Sequence, residues 1–308
     1  MKKYLSNPVY AILIALFSCI LWGSAFPVLK ISFDELGIAA NDIYTKLAFA
    51  GARFLLASIF LFILLKFVMQ YPLKISNNKI LLELIVLGIV QTTLQYFFFY
   101  NGLAHTSGAK GAIIMASQTL FVVLLAHFIY SDDKMNWRKI LGLIVGFTGI
   151  ILVNWGKEGL NLEFTFIGEG FLILAALAGA IGNILSKKYA THIHPFFLTA
   201  WQMLLGSFLL LGFGAVGLHK NNMNFTIKAV ILFVYSAFLS ATAFSLWNSL
   251  LKYHKAGEIS MFRFMIPVSG AILSVVFIPD ENLTIHLFCA LVLVSLGIIS
   301  VYYQKQKN

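Results

Sequence analysis

Two arginines lie inside long apolar segments of the sequence, Arg53 within residues 46–69 and Arg263 within residues 257–278. A charged side chain at the middle of a membrane helix costs about 2.5–3.5 kcal/mol or more unless it finds water or a partner. A guanidinium group binds a carboxylate with paired hydrogen bonds, so both arginines are candidates for recognising an anionic group. The structural alternative caps each arginine with backbone carbonyls or pairs Arg263 with Glu258 or Glu83. The sequence leaves both interpretations open.

Polar and aromatic residues deep in the same kind of segment extend the candidate binding set. Each of them is also a candidate for an ordinary hydrogen bond between helices. Together they are able to line an amphipathic cavity. The set comprises Trp22, Gln91, Gln95, Tyr96, Gln118, Asn183, Trp201 and Gln202. Other aromatic residues near segment ends, Trp155 and Trp247 among them, are predicted to lie at the membrane interface.

The segment LWGSAFPVLK (21–30) suggests a gate. Gly23 and its small neighbours allow a second helix to approach closely, and Pro27 removes a backbone donor. Gly179 and Pro267 are placed similarly in later segments, and the four residues are candidate gating positions. The alternative is tight packing, with Lys30 as a cation at a helix C-terminus.

The amino-acid composition indicates that these residues belong to a membrane protein. Of 308 residues, 60% are hydrophobic and 11% are charged, whereas a soluble domain carries roughly a quarter charged residues. Such a chain cannot present a water-soluble surface. We therefore predict an all-α integral membrane protein.

Apolar runs of bilayer-spanning length recur along the chain. They are continuous rather than alternating, which predicts helices and not a β-barrel. We predict ten transmembrane helices, at 8–31, 46–69, 80–103, 110–130, 138–155, 166–187, 195–217, 227–250, 257–278 and 284–303.

The basic residues that give the net charge of +10 are arranged as expected for a membrane topology. If the N-terminus is cytoplasmic, most lysines and arginines outside the helices, such as Lys74, Lys79 and Lys134, fall on the cytoplasmic side, as the positive-inside rule requires. This distribution accounts for the basic charge without a nucleic-acid partner. It predicts a multi-pass protein with both termini in the cytoplasm, and a plasma membrane location is expected. Cys19 and Cys289 lie in apolar interiors, so no metal site is predicted.

The sequence repeats itself. The stretch 136–153 resembles 284–301 and matches Gly149 with Gly297, and Gly23 corresponds to Gly179. Two five-helix halves follow, 10–153 and 166–303. Because each half has an odd number of spans, the two halves must cross the membrane in opposite directions. An inverted repeat is typical of secondary transporters, with a substrate site between the halves near the midplane.

The chain resembles the drug/metabolite transporter superfamily, whose five-helix unit is called EamA. The resemblance rests on LWGSAFPVLK (21–30), ARFLLA (52–57), YNGLAHTSGAKGA (100–112) and MIPVSGAILSVVFIPDENLT (265–284). It implies ten helices and the movement of small metabolites, often amino acids or their analogues, often outward. Members often carry a glutamate at the cytoplasmic end of helix four, where this chain has Asp132 and Asp133.

The predicted function is therefore export of small metabolites by alternating access, with no cofactor and with a small-molecule substrate and the lipid bilayer as partners. An uptake permease or facilitator for similar solutes is the alternative. A coupling proton would need an embedded titratable group, and Glu83, His127, Glu169 and Glu258 all lie near helix ends, so proton coupling and facilitated diffusion are equally compatible with the sequence. A membrane enzyme would need paired carboxylates or a serine–histidine dyad at one depth, which we do not find. The sequence fits a monomer or a homodimer.

Overall fold

A computed structural model of the chain describes residues 5–39, 41–106, 108–155, 164–217, 225–278 and 284–302. Throughout this part of the chain the regular structure is helical, and no strand occurs. Both chain termini and residues 156–163, within the predicted junction between the halves, lie outside it. The helices are α1 Pro8–Leu36, α2 Ile43–Val68, α3 Asn78–Ala104, α4 Gly108–Ile129, α5 Trp137–Val153, α6 Phe166–Ala190, α7 Pro195–Ala215, α8 Ile227–Tyr253, α9 Ala256–Phe277 and α10 Ile285–Tyr302.

Eight of these helices are long and apolar enough to cross a membrane, so within the described residues the protein is a multi-pass membrane protein. The other two, α5 with 17 residues and α10 with 18, are the short ones. The helix α1 continues past its predicted end at residue 31 and stops at Leu36, because Gly37 adopts the left-handed conformation that closes a helix (φ 71°). Its 29 residues span about 43 Å, more than the hydrocarbon thickness of a bilayer.

Three helices contain π-helical turns, which widen the helix locally. They lie at the end of α2 (Leu64–Val68), in the middle of α3 (Gly88–Leu94) and at the start of α6 (Phe166–Gly170). In α3 the Thr93 hydroxyl lies within hydrogen-bond distance of Gly88 O in its own helix, at 3.4 Å, and of Gly206 O of α7, at 3.2 Å. The irregular turn is thus in contact with a neighbouring helix.

The two ends of the bundle are distinguished by their contacts. We call the face that holds the start of α1 the N side, where His254 Nε2 lies 2.7 Å from Leu5 O. The opposite face, which holds the end of α1, is the C side, where Lys228 Nζ at the start of α8 donates to Glu35 Oε1 at 2.8 Å.

Close glycine contacts decide which helices pack together. A Cβ atom added at Gly142 of α5 would lie 2.9 Å from Gly297 O of α10, and one added at Gly51 of α2 would lie 2.8 Å from Leu211 of α7. Such small residues let membrane helices approach closely. The helix pairs with the most extensive contacts are α2 with α7, α5 with α10, α1 with α8 and α9, α3 with α7, and α6 with α3 and α4.

Candidate functional site

A cavity of about 590 Å³ lies between α1, α2, α3, α4, α8 and α9. It extends to the C-side ends of these helices, where Lys30, Lys46 and Gly108 line its mouth. Its walls are mainly apolar and aromatic. Six of the predicted binding residues line it: Trp22, Arg53, Gln95, Tyr96, Gln118 and Arg263. Of the predicted gating residues, Pro267 lines it as well.

Arg53 enters the cavity from α2 and is only 2% exposed. Its guanidinium carbon lies 4.6 Å from the centre of the Phe54 ring and 5.5 Å from that of Tyr96. Aromatic faces attract cations in this geometry. Its Nε has no hydrogen-bond partner among the described residues. Arg53 therefore lines the cavity while one of its donors, the buried Nε, is unused.

Arg263 reaches the same cavity from α9, where residues Met261–Phe264 form a 3₁₀ turn. Its guanidinium carbon lies 4.9 Å from the Trp22 ring centre and 5.3 Å from that of Trp247, and its NH2 donates to Gln118 Oε1 at 3.0 Å. The two carboxylates that the sequence suggested as partners of Arg263 have other contacts. Glu83 Oε2 lies 2.7 Å from His192 Nε2, and Glu258 Oε1 lies 3.6 Å from Lys255 Nζ.

Two further polar atoms in the cavity wall lack partners. Gln95 Oε1 and the Tyr100 hydroxyl are both buried, and neither has a hydrogen bond within the described structure. Four cationic residues and no acidic residue line the described cavity. The cavity thus offers positive charge together with a few neutral hydrogen-bonding atoms.

The cavity floor is a layer of hydrogen-bonded side chains that the sequence did not reveal. Trp247, predicted to lie at the membrane interface, is instead fully buried, because it lies two turns inside α8, which ends at Tyr253. Its Nε1 donates to Asn183 Oδ1 at 2.7 Å. One turn from Gln95, Gln91 accepts a hydrogen bond from Ser186 at 3.0 Å. Asn183 and Gln91 therefore lie below the cavity and join helices.

The remaining predicted binding residues lie on α7, away from the cavity. Trp201 packs edge-on against Phe62 of α2, with ring centres 5.3 Å apart. Gln202 is completely buried, and both polar atoms of its side chain lack partners in the described structure.

The candidate gating glycines are contact points between helices. A Cβ atom at Gly23 would lie 2.8 Å from Gly270 N of α9, and one at Gly179 would collide with Gln118 and lie 2.9 Å from Gln95. Pro27 is buried within α1, which stays helical through it. The absence of a side chain at Gly179 therefore leaves room for the amide groups of Gln118 and Gln95.

A buried ion pair lies at the N side of the bundle. Lys139 and Asp133 are 2% and 0% exposed, and Lys139 Nζ donates to the Asp133 carboxylate and to Lys134 O. Asp133 Oδ2 accepts the Gly257 N–H at the start of α9 at 2.8 Å. The α4–α5 connection of one half is thereby tied to the other half.

A second contact on the N side ties α4 to α6. The Tyr130 hydroxyl donates to Ile184 O at 3.2 Å. Burial, reinforced by Asp133 and Asp132, raises the pKa of Tyr130 to about 12, so its hydroxyl keeps the proton it donates.

The C side is held by Glu169, which is 4% exposed at the start of α6. It lies 2.7 Å from Lys110 Nζ and accepts the Thr106 hydroxyl at 2.6 Å and the Thr165 N–H at 2.7 Å. These bonds fix the α3–α4 turn against α6 beside the cavity mouth.

The described structure is a bundle of helices, eight of them long and apolar enough to span a membrane, around one mainly apolar cavity. The chain belongs to the EamA-like transporter family, whose model matches residues 9–155 and 166–303. Its relatives are named as transporters, and the protein is a transporter rather than an enzyme.

Two curated relatives match nearly the whole chain. The uncharacterized transporter YoaV of Bacillus subtilis is 25% identical over 281 residues, covering 91% of this chain and 92% of its own. An uncharacterized transporter of Archaeoglobus fulgidus is 24% identical and covers 92% of this chain and 95% of its own. A protein crystal structure shares the fold, with a TM-score of 0.73, 16% identity and coverage of 94% of this chain and 96% of that one.

Proposed function

We propose that this protein is a secondary transporter that exports small amphipathic metabolites, such as amino acids or related compounds, from the cytoplasm by alternating access. The observation that carries the proposal is the cavity itself. It lies between helices of both halves, is large enough for a small molecule, and contains two arginines contributed by different halves, Arg53 buried and Arg263 half-buried.

An inverted ten-span architecture gives this cavity a mechanism. Helix contacts support it: α1 packs on α8 and α9, while α6, its counterpart in the second half, packs on α3 and α4. The pairs α2–α7 and α5–α10 join counterparts directly. In this proposal α5 and α10 also span the membrane, and one half rocks against the other about the cavity.

The side to which the cavity opens follows from the proposed topology. We place the N side in the cytoplasm of a plasma membrane protein, as the positive-inside rule favours. The cavity then faces outward, and the buried Asp133–Lys139 pair closes the cytoplasmic side. An uptake facilitator for similar solutes uses the same cavity, and flux measurements in both directions separate the two.

Two glycines provide a matched test. A Cβ atom at either Gly108 or Gly212 meets nothing within 4 Å, but only Gly108 lines the cavity. We expect Gly108→Trp to obstruct the mouth and to lower metabolite release by roughly tenfold, the effect of about 1.4 kcal/mol. Gly212→Trp should release metabolites as the unmodified protein does. The measurement is the profile of metabolites released by cells that overproduce each protein, against an empty-vector control.

Equal membrane abundance of the two variants must be established first. If overproduction of the unmodified protein changes neither release nor uptake of any metabolite relative to the empty vector, transport through this cavity is refuted. If Gly108→Trp releases as much as Gly212→Trp, the cavity is not the route.

A further inference from the structure

We propose that the cavity selects organic carboxylates that carry a net negative charge over zwitterionic, neutral and cationic molecules of the same shape. The inference rests on the proposed transport function and names its substrate class. It differs from the amino-acid class expected above, because a free amino acid is a zwitterion.

The first observation is the sign of the buried charge. Arg53, Arg263 and Tyr96 all line the cavity, and the guanidinium carbon of Arg53 lies 5.5 Å from the centre of the Tyr96 ring. No acidic residue lines the described cavity. Arg53 is a desolvated cation without a counter-ion among the described residues, which is costly, and a bound anion removes that cost. Lys30 and Lys46 at the mouth have contacts of their own.

The second observation distinguishes the two arginines. Arg263 is already engaged, since it donates to Gln118 and lies over two tryptophan rings. Arg53 is nearly completely buried, yet its Nε donates to nothing in the described structure. The unused donor of Arg53 is the contact point for a carboxylate, because charge-assisted hydrogen bonds of this kind are the strong ones.

The third observation concerns the ammonium group of a zwitterion. It would need a carboxylate partner, and the acceptors without partners in the described cavity wall are neutral, namely Gln95 Oε1 and the Tyr100 hydroxyl. Two nearby guanidinium groups repel an ammonium ion. A neutral donor on the substrate, such as a hydroxyl or an amide N–H, satisfies the same acceptors without that repulsion.

The cavity wall supplies the rest of the recognition. Phe26, Phe33, Phe99 and Phe244 line it together with aliphatic residues, so the carboxylate is attached to an apolar body. An inorganic anion would leave these walls unused.

Four ligands of one shape test the proposal. They are 3-phenylpropionate (anion), phenylalanine (zwitterion), 3-phenylpropanamide (neutral) and 3-phenylpropylamine (cation). Dissociation constants for the purified full-length protein in detergent, from direct titration, should be lowest for the anion by about tenfold or more. Flux of the same four compounds is then measured in proteoliposomes.

The variant Arg53→Gln should weaken 3-phenylpropionate binding by about tenfold or more while leaving the amide unchanged. The matched control is Lys66→Gln, because Lys66 also lies over an aromatic ring, Phe67 at 5.3 Å, but is exposed and outside the cavity. If Arg53→Gln fails to fold, the order of the four ligands on the unmodified protein decides alone.

The inference is overturned if phenylalanine, the amide or the amine binds as tightly as the anion, or if none of the four binds. Transport is tested separately. Flux of zwitterions or cations without flux of the anion is compatible with the proposed transport but contradicts the charge preference. Tight anion binding without flux of any solute supports the charge preference but contradicts the proposed transport through this cavity.

Discussion

Arg53 and Arg263 have the same chemistry but different surroundings. Arg263 is fixed by Gln118 and lies over the rings of Trp22 and Trp247, whereas Arg53 lies over Phe54 and Tyr96 with an unused donor. A cation over a desolvated ring is stabilised by up to about 2 kcal/mol. Arg263 therefore contributes more to the stability of the fold, and Arg53 more to binding.

This difference predicts opposite effects of the same conservative change. Arg263→Lys should lower the free energy of unfolding by about 1–2 kcal/mol, since the ammonium group loses the planar contact with two indole rings. Arg53→Lys should cost less stability but more transport. Thermal unfolding in detergent and flux in proteoliposomes measure the two effects. A larger stability loss in Arg53→Lys would reverse the assignment.

For single residues, the sequence shows which ones are unusual, but it does not show which other residues they contact. Both arginines stand out because a charge in an apolar helix is rare. Trp247 could not be placed, since an indole near the end of an apolar run fits an interface as well as a core. Gln91 and Gln95 lie one turn apart, and only the packing of α6 shows that the cavity floor separates them.

Helix positions follow from hydropathy, but helix ends and irregular turns do not. The predicted runs 195–217 and 257–278 agree closely with α7 and α9. The end of α1 at Leu36 depends on the left-handed Gly37 rather than on apolar content. The π-helical turn Gly88–Leu94 leaves no hydropathy signal, because hydropathy reports side-chain polarity and not the spacing of backbone hydrogen bonds.

The connection between α4 and α5 predicts how the N side is held shut. Asp133→Asn keeps an acceptor for the Gly257 N–H but leaves Lys139 as a buried cation without a counter-ion. Removing one partner of a buried pair costs about 3–5 kcal/mol. We expect the free energy of unfolding to fall by about that amount. The N side should also open more often.

The adjacent carboxylate is the control. Asp132 is exposed, so Asp132→Asn should change stability by no more than about 0.5 kcal/mol. Thermal unfolding measures the first effect. A cysteine at the buried Ser260, in a background without Cys19 and Cys289, measures the second through its rate of thiol labelling. Equal labelling rates in both aspartate variants would show that the pair does not close this side.

At the scale of the whole molecule, repeat spacing predicts two halves, and this stays a prediction. The observed contacts, α1 with α8 and α9 and α6 with α3 and α4, are compatible with a two-fold relation between such halves. The cavity between them could not be predicted in extent. It depends on how closely glycines such as Gly23 and Gly179 bring helices together, and hydropathy does not encode those distances.

An inverted repeat makes a prediction that a parallel repeat contradicts. The α1–α2 and α6–α7 connections occupy equivalent places in the two halves, so inversion puts them on opposite faces of the membrane. Asn41 and Thr191 are exposed in these connections. In a background without the native cysteines, Asn41→Cys should be labelled by a membrane-impermeant thiol reagent only from outside the cell. Thr191→Cys should be labelled only after the cytoplasmic face is made accessible.

Labelling of both cysteines from one face would exclude the inverted repeat and, with it, alternating access between two oppositely oriented halves. Opposite labelling with the two sides exchanged would keep the repeat but turn the cavity mouth toward the cytoplasm.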